Sequence, residues 1–257
     1  MKLLGRSDAR SRFVDEMLPR VEVSGFIAQT KPEEYALRKN IAEIMFDVAS
    51  FACVIGLNPR TENIEHVTMK SELQDKLLGE YQFGRIQLAN SYYPMLDRTI
   101  AHEMFHNMQD GSHNMQYTTR VQRSYVEGGA QLFEGAFRRL YDPVNGQLYF
   151  KPSQILLPIS FSEMELEGIH SKLTELKRAA RGCELHDLLN RTHHGGRETS
   201  VHLNGADFVA VAIRIMHDDI PKLLRMMLNL TANGMISVLE EMGEDGPARR
   251  ILARLRH

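Results

Sequence analysis

Thr99-Ile100-Ala101-His102-Glu103-Met104-Phe105-His106 sets two imidazoles and a carboxylate into one short run. Asp97-Arg98-Thr99 offers an N-terminal cap and Asp110-Gly111 a stop, so a helix is expected through Gln109. Residues four apart on a helix share a face, one turn above the other. His102 and His106 can therefore both reach one ion at ~2.0–2.1 Å, the usual Zn–N distance. Glu103 projects beside that face, near enough to take a proton from a water on the metal without filling a ligand position. That division of labour is why the chemistry uses His-Glu-x-x-His at this spacing. Two histidines on a half-buried helix face, with no metal, are the plain alternative.

Catalytic zinc commonly takes three protein ligands and keeps a fourth position for water, so a third ligand is needed. His113 is out of register. The metzincin pattern wants Gly three and His six residues beyond the second motif histidine, where this chain has Gln109 and Ser112. Asp110 sits at the expected helix end, too close to fold back. Glu127, in Ser124-Tyr125-Val126-Glu127-Gly128-Gly129-Ala130, is the stronger candidate. The 20 residues from 107 to 126 hold a helix end, a connection and the first turns of a second helix. Two packed helices can then aim three ligands at one point. Glu134, seven residues further along the same face, is placed to orient a ligand histidine through its second ring nitrogen. A surface carboxylate is the plain alternative for both glutamates. Two histidines and a carboxylate also hold Fe(II); the interposed Glu103 on the same helix favours zinc.

Outward from the motif, the chain reads as α+β. Val21 to Ile27 is expected as a short strand. Lys31-Pro32-Glu33-Glu34 starts a helix, with acids at the positive end of its dipole, and Leu37, Ile41, Ile44 and Met45 carry it towards Gly56. Ile64 to Met69 reads as a strand and Ser71 to Leu78 as a short helix. Gly84 to Asn90 is a better strand, with Ile86 and Leu88 on one face. Beyond the motif, 120–141 is a second helix closed by Asp142-Pro143, and Gln147 to Phe150 a short strand. Helices follow over 163–180, 184–190, 199–217, 219–229, 232–242 and 246–255. The expected organisation is an N-terminal α+β lobe, 1–110, ending in the motif helix, and a mostly helical lobe, 111–257. Together they make one catalytic domain with its zinc site in the cleft between the lobes.

Composition excludes several classes. Of 257 residues, 43% are hydrophobic and 25% charged, the balance of a globular protein. A net charge of −2 gives no electrostatic case for a nucleic-acid partner. Cys53 and Cys183 are expected as buried, reduced thiols, with one disulfide as the alternative. The first residues carry no apolar core of a secretory signal, and no stretch approaches the ~18 apolar residues of a membrane span. The cytoplasm is the expected location.

At Thr99 to His106 and at Tyr125-Val126-Glu127-Gly128-Gly129-Ala130, the sequence resembles the gluzincins, the thermolysin-like and aminopeptidase-N-like branches of the zinc metallopeptidases. The second segment is similar to the Glu-Gly segment that supplies the third ligand in the aminopeptidase-like branch. His202-Leu203-Asn204-Gly205-Ala206-Asp207-Phe208-Val209 resembles the family's Tyr-x-x-Gly-x-x-Phe/Leu helix start. The likeness covers roughly residues 60–257 and is strong over 99–130. It implies a zincin-like fold, a zinc ion on His102, His106 and Glu127, and Glu103 as general base of an endopeptidase. It also places Gly84 to Asn90 as an edge strand pairing with an extended peptide or protein substrate, a form of β-augmentation. His202 stands where the aminopeptidase-like branch has a Tyr that stabilises the tetrahedral intermediate, a task thermolysin-like enzymes give to a His. A second departure is Gln131, where thermolysin-like enzymes have an Asp. No exopeptidase amine-binding motif is recognisable. A zinc-binding regulatory or scaffold protein, or a hydrolase of non-peptide amides, stays open beside the peptidase reading.

Overall fold

Thr30 starts the first long helix with a reciprocal cap. Its Oγ1 accepts from the Glu33 N–H at 3.3 Å, and the Glu33 carboxylate accepts from the Thr30 N–H at 3.0 Å. That helix, α2 (Lys31–Val54), buries Ile41, Met45, Val48 and Phe51 along one stripe. It ends where Gly56 turns to φ 79°, with Gly56 N–H on Cys53 O at 3.1 Å and Leu57 N–H on Ala52 O at 2.8 Å. Both bonds belong to the Schellman ending, which needs a residue tolerant of the left-handed region.

The computed structural model describes residues 3–24, 27–73, 77–90, 95–110, 119–148, 185–192, 197–216 and 219–244. Two units divide the chain, Met1–His113 with Phe133–Tyr149, and Asn114–Leu132 with Phe150–His257. The architecture is α+β: a mixed four-stranded sheet with helices, then a mainly helical part.

The first unit opens with α1 (Leu3–Met17), then β1 (Val21–Val23), α2, β2 (His66–Lys70), β3 (Gly79–Gln82) and β4 (Arg85–Ala89). The sheet order is β1-β2-β4-β3, parallel except for β3 against β4. Val67, Met69, Ile86 and Leu88 are buried in its centre. The sequence shows no apolar stripe for α1; tertiary contacts hold it. Arg6 donates to Asp47 at 3.1 Å and Tyr141 Oη at 2.8 Å, and Phe13 packs 5.7 Å from Phe46.

Two expectations for this unit are corrected. Residues 71–73 and 77–78 are not helical, and 74–76 lie outside the described residues. Leu78 already serves the sheet, its carbonyl accepting from Ala89 N–H at 2.9 Å. The 84–90 strand is not an edge. β4 has β2 on one side and β3 on the other, so its backbone has no side left for a peptide, and among the described residues β3 is the edge on that side. The cause is the turn at Phe83-Gly84, with φ 43° and 79°. Two consecutive positive values make the two-residue turn that folds β3 back along β4. Phe83 is 79% exposed there, and the left-handed region costs a non-glycine ~1–2 kcal/mol. Phe83→Asn is expected to raise Tm by about 2–4 °C for each ~1 kcal/mol recovered. A melting curve with an unchanged or lower Tm would remove the strain from this turn.

α3 (Leu96–Asp110) carries the His-Glu-x-x-His run and packs on α2, β3 and β4. α4 (Arg120–Leu140) follows, with β5 (Tyr141–Asp142) and β6 (Gln147–Leu148) as a small hairpin. Phe133 on α4 stacks 5.0 Å from Phe105 on α3 and lies 5.3 Å from Phe51 on α2. This aromatic cluster seats the second half of α4 against α3. Cys53 is exposed rather than buried, and Cys183 lies outside the described residues.

In the second unit, the first half of α4 joins α5 (Leu185–Asn190), α6 (Arg197–Ile215), α7 (Ile220–Asn229) and α8 (Ala232–Glu244). Tyr125 on α4 packs edge-on to Phe208 at 5.8 Å, and its hydroxyl donates to Leu230 O at 3.1 Å. Asp219 caps α7 by accepting from Lys222 N–H at 3.1 Å. The expected helices at 163–180 and 246–255 fall outside the described residues. Among those described, no helix is long and apolar enough to cross a membrane.

Candidate metal centre

α3 brings the two motif imidazoles to a centroid separation of 4.8 Å with planes at 80°. Each ring is held at Nδ1 by an oxygen. His102 Nδ1 lies 3.2 Å from Glu134 Oε2, and His106 Nδ1 lies 2.8 Å from Gln109 Oε1. A carboxylate and an amide oxygen only accept, so each Nδ1 must carry the proton. A ligand histidine commonly gives Nδ1 to such an oxygen and turns Nε2 to the metal.

Glu134 is itself braced by Arg98, whose Nε and Nη2 lie 2.7 and 2.6 Å from Oε1. Burial alone would raise the Glu134 pKa; His102 and then Arg98 outweigh it and hold the carboxyl below the usual range. The expected orienting role of Glu134 thus has its geometry. Gln109 went unassigned in the sequence, although it stands at the position that departs from the metzincin Gly. Its i, i+3 spacing from His106 on a helix was the available signal.

Glu103 is 5% exposed, on α3 between the two histidines. Asp110 accepts a bond from Tyr81 Oη at 2.8 Å, so it serves to tie β3 to α3. Burial first, and then that bond, push the Tyr81 hydroxyl to about 12, which keeps it a donor at neutral pH. His113 lies outside the described residues.

In the second unit Glu127 and His202 are paired, Oε2 to Nε2, at 3.0 Å. Glycines make the approach of their helices possible. A Cβ on Gly128 would lie 2.7 Å from Gly205 O, and one on Gly205 would collide with Ser124 O. The two glycines that follow Glu127 and His202 by one and three residues therefore set α4 against α6 backbone to backbone. Gln131, one turn beyond Glu127, buries an Oε1 with no hydrogen-bond partner among the described residues.

His102, Glu127 and His202 form a group able to hold a metal ion, their ligand atoms all within 4.8 Å of one another. All three are half-buried. His106 is not in that group, and neither is Glu103. A nitrogen-rich set with one carboxylate suits a borderline ion such as zinc better than calcium or magnesium, which prefer all-oxygen shells. No protein-family model, curated protein or solved structure matches this chain. The functional reading therefore rests on the residues themselves.

Proposed function

We propose that the chain is a zinc-dependent metallopeptidase of gluzincin type, with a zincin-like fold, cutting peptide bonds within extended segments. His102, His106 and Glu127 hold the metal, and Glu103 is the general base. One observation carries the reading: two histidines one helical turn apart are both held at Nδ1 by acceptor oxygens, with an acid interposed between them.

When bound, zinc lowers the pKa of a water towards ~7 and polarises the scissile carbonyl. Glu103 takes the proton of the attacking water and passes it to the leaving amine nitrogen. His202 donates a hydrogen bond to the carbonyl oxygen as charge develops there. The substrate backbone lies along β3. Because Leu78 O faces β4, alternation turns the main-chain groups of Gly79 and Tyr81 away from it, towards the side where no strand lies among the described residues.

A second reading has its own observation. The grouping of His202 with His102 and Glu127 suits a ligand as well as an oxyanion donor. With His106 also bound, four protein ligands would close the shell, as in structural zinc sites, and the chain would be a zinc-binding regulatory or scaffold protein. Metal analysis with a mixed-peptide cleavage assay separates the two. Zinc near one per chain and chelator-sensitive endopeptidase cleavage support the peptidase; zinc without cleavage supports the closed site. Glu134→Gln is expected to weaken zinc binding by about 10–100-fold, the usual cost of losing a carboxylate behind a ligand histidine. Competition against a chromogenic chelator measures it, and unchanged affinity would show that Glu134 does not tune His102.

A further inference from the structure

Gly79 opens β3 directly against the motif helix. A Cβ at this position would lie 2.5 Å from Thr99 Cγ2, 2.6 Å from Glu103 Oε1 and 3.0 Å from Glu103 Cγ. We infer that Gly79 is the positioning residue of Glu103: its missing side chain lets the edge strand lie on the carboxylate and fix where it sits. This rests on the reading of Glu103 as the base.

The surrounding bonds determine what must move when a methyl group is added. β3 cannot retreat, because the residues on either side of Gly79 are tied to β4: the Leu78 carbonyl accepts from Ala89 N–H at 2.9 Å, and Glu80 pairs with Gln87 in the ladder. Two residues along, Tyr81 ties the strand to the end of α3 through Asp110 at 2.8 Å. Thr99 is β-branched, and its hydroxyl donates to Met95 O at 3.1 Å, so its methyl group is held in place. Glu103 is unbranched, with three rotatable side-chain bonds, and yields most easily. Its carboxylate is therefore the atom group that Gly79 holds in register.

The test is Gly79→Ala in a Thr99→Ser background, which removes the Cγ2 contact and leaves Glu103 as the remaining obstacle. Expected are a kcat lower by about 10²-fold, the scale of a ~1 Å misplacement at a reacting centre, with zinc content unchanged. In a Glu103→Gln background the same Gly79→Ala change should cost far less in kcat. Equal losses in both backgrounds, or lost zinc, would make Gly79 a general structural residue and overturn the inference. Crystal structures of the parent and the variant read the carboxylate directly, without substrate. A displaced carboxylate in a protein that binds zinc but cleaves no peptide keeps the role of Gly79 and rejects the peptidase. An unmoved carboxylate with full kcat, in a protein that does cleave peptides, rejects Gly79 and keeps the peptidase.

Discussion

Glu103→Gln is expected to lower kcat by ~10²–10⁴-fold, the usual worth of a positioned general base, while zinc content and melting temperature stay at the parent values. The substitution keeps the shape and volume of the side chain and removes its ability to take a proton. Glu103 is 5% exposed, and it lies outside the group able to hold a metal, so losing its charge should not empty the site. Its place on α3 between the two motif histidines is the physical argument for its being the base. Steady-state kinetics beside metal analysis checks the result. Retained turnover would dismiss Glu103 from proton transfer, and lost zinc would move it into the ligand shell.

The sequence carries the parts of this fold that are local. α2 is legible because its start signal, Thr30 to Glu33, and its stop, Gly56, lie within a few residues of the bonds they make. α3 is legible from the i, i+4 spacing of its histidines, which needs nothing from elsewhere. Strand position is another matter. The alternation of Ile86 and Leu88 marks a strand, but only pairing with β3 makes it an inner one. Phe83 hides that pairing, because the expected residue for such a turn is Asn or Asp before Gly. α1 is held by Arg6, Arg10 and Phe13 against residues more than 30 positions away, which no window along the chain can show. At the site, Glu127 follows from its distance along the chain from His106, and Glu134 from helical spacing. Gly79 does not, since its meaning depends on which strand lies on Glu103.

The ligand set is decided by removing Glu127 and His202 in turn. Glu127→Ala is expected to drop zinc from near one per chain to a small fraction of that, with hydrolysis lost in step. Two histidines alone leave a site one ligand short of the three that catalytic zinc commonly takes. His202→Phe is expected to keep zinc and to lose ~10²–10³-fold in kcat, the scale of one oxyanion donor. The 3.0 Å contact between the two residues gives this comparison its force. If Glu127 is a ligand and His202 a donor beside it, the first change empties the site and the second leaves it filled but slow. If both are ligands, each lowers affinity, and His202→Phe opens the shell instead of slowing it. Measured zinc affinities for the two variants separate the cases before any substrate is known. An equal fall in both would place His202 on the metal and turn the argument towards a closed structural site.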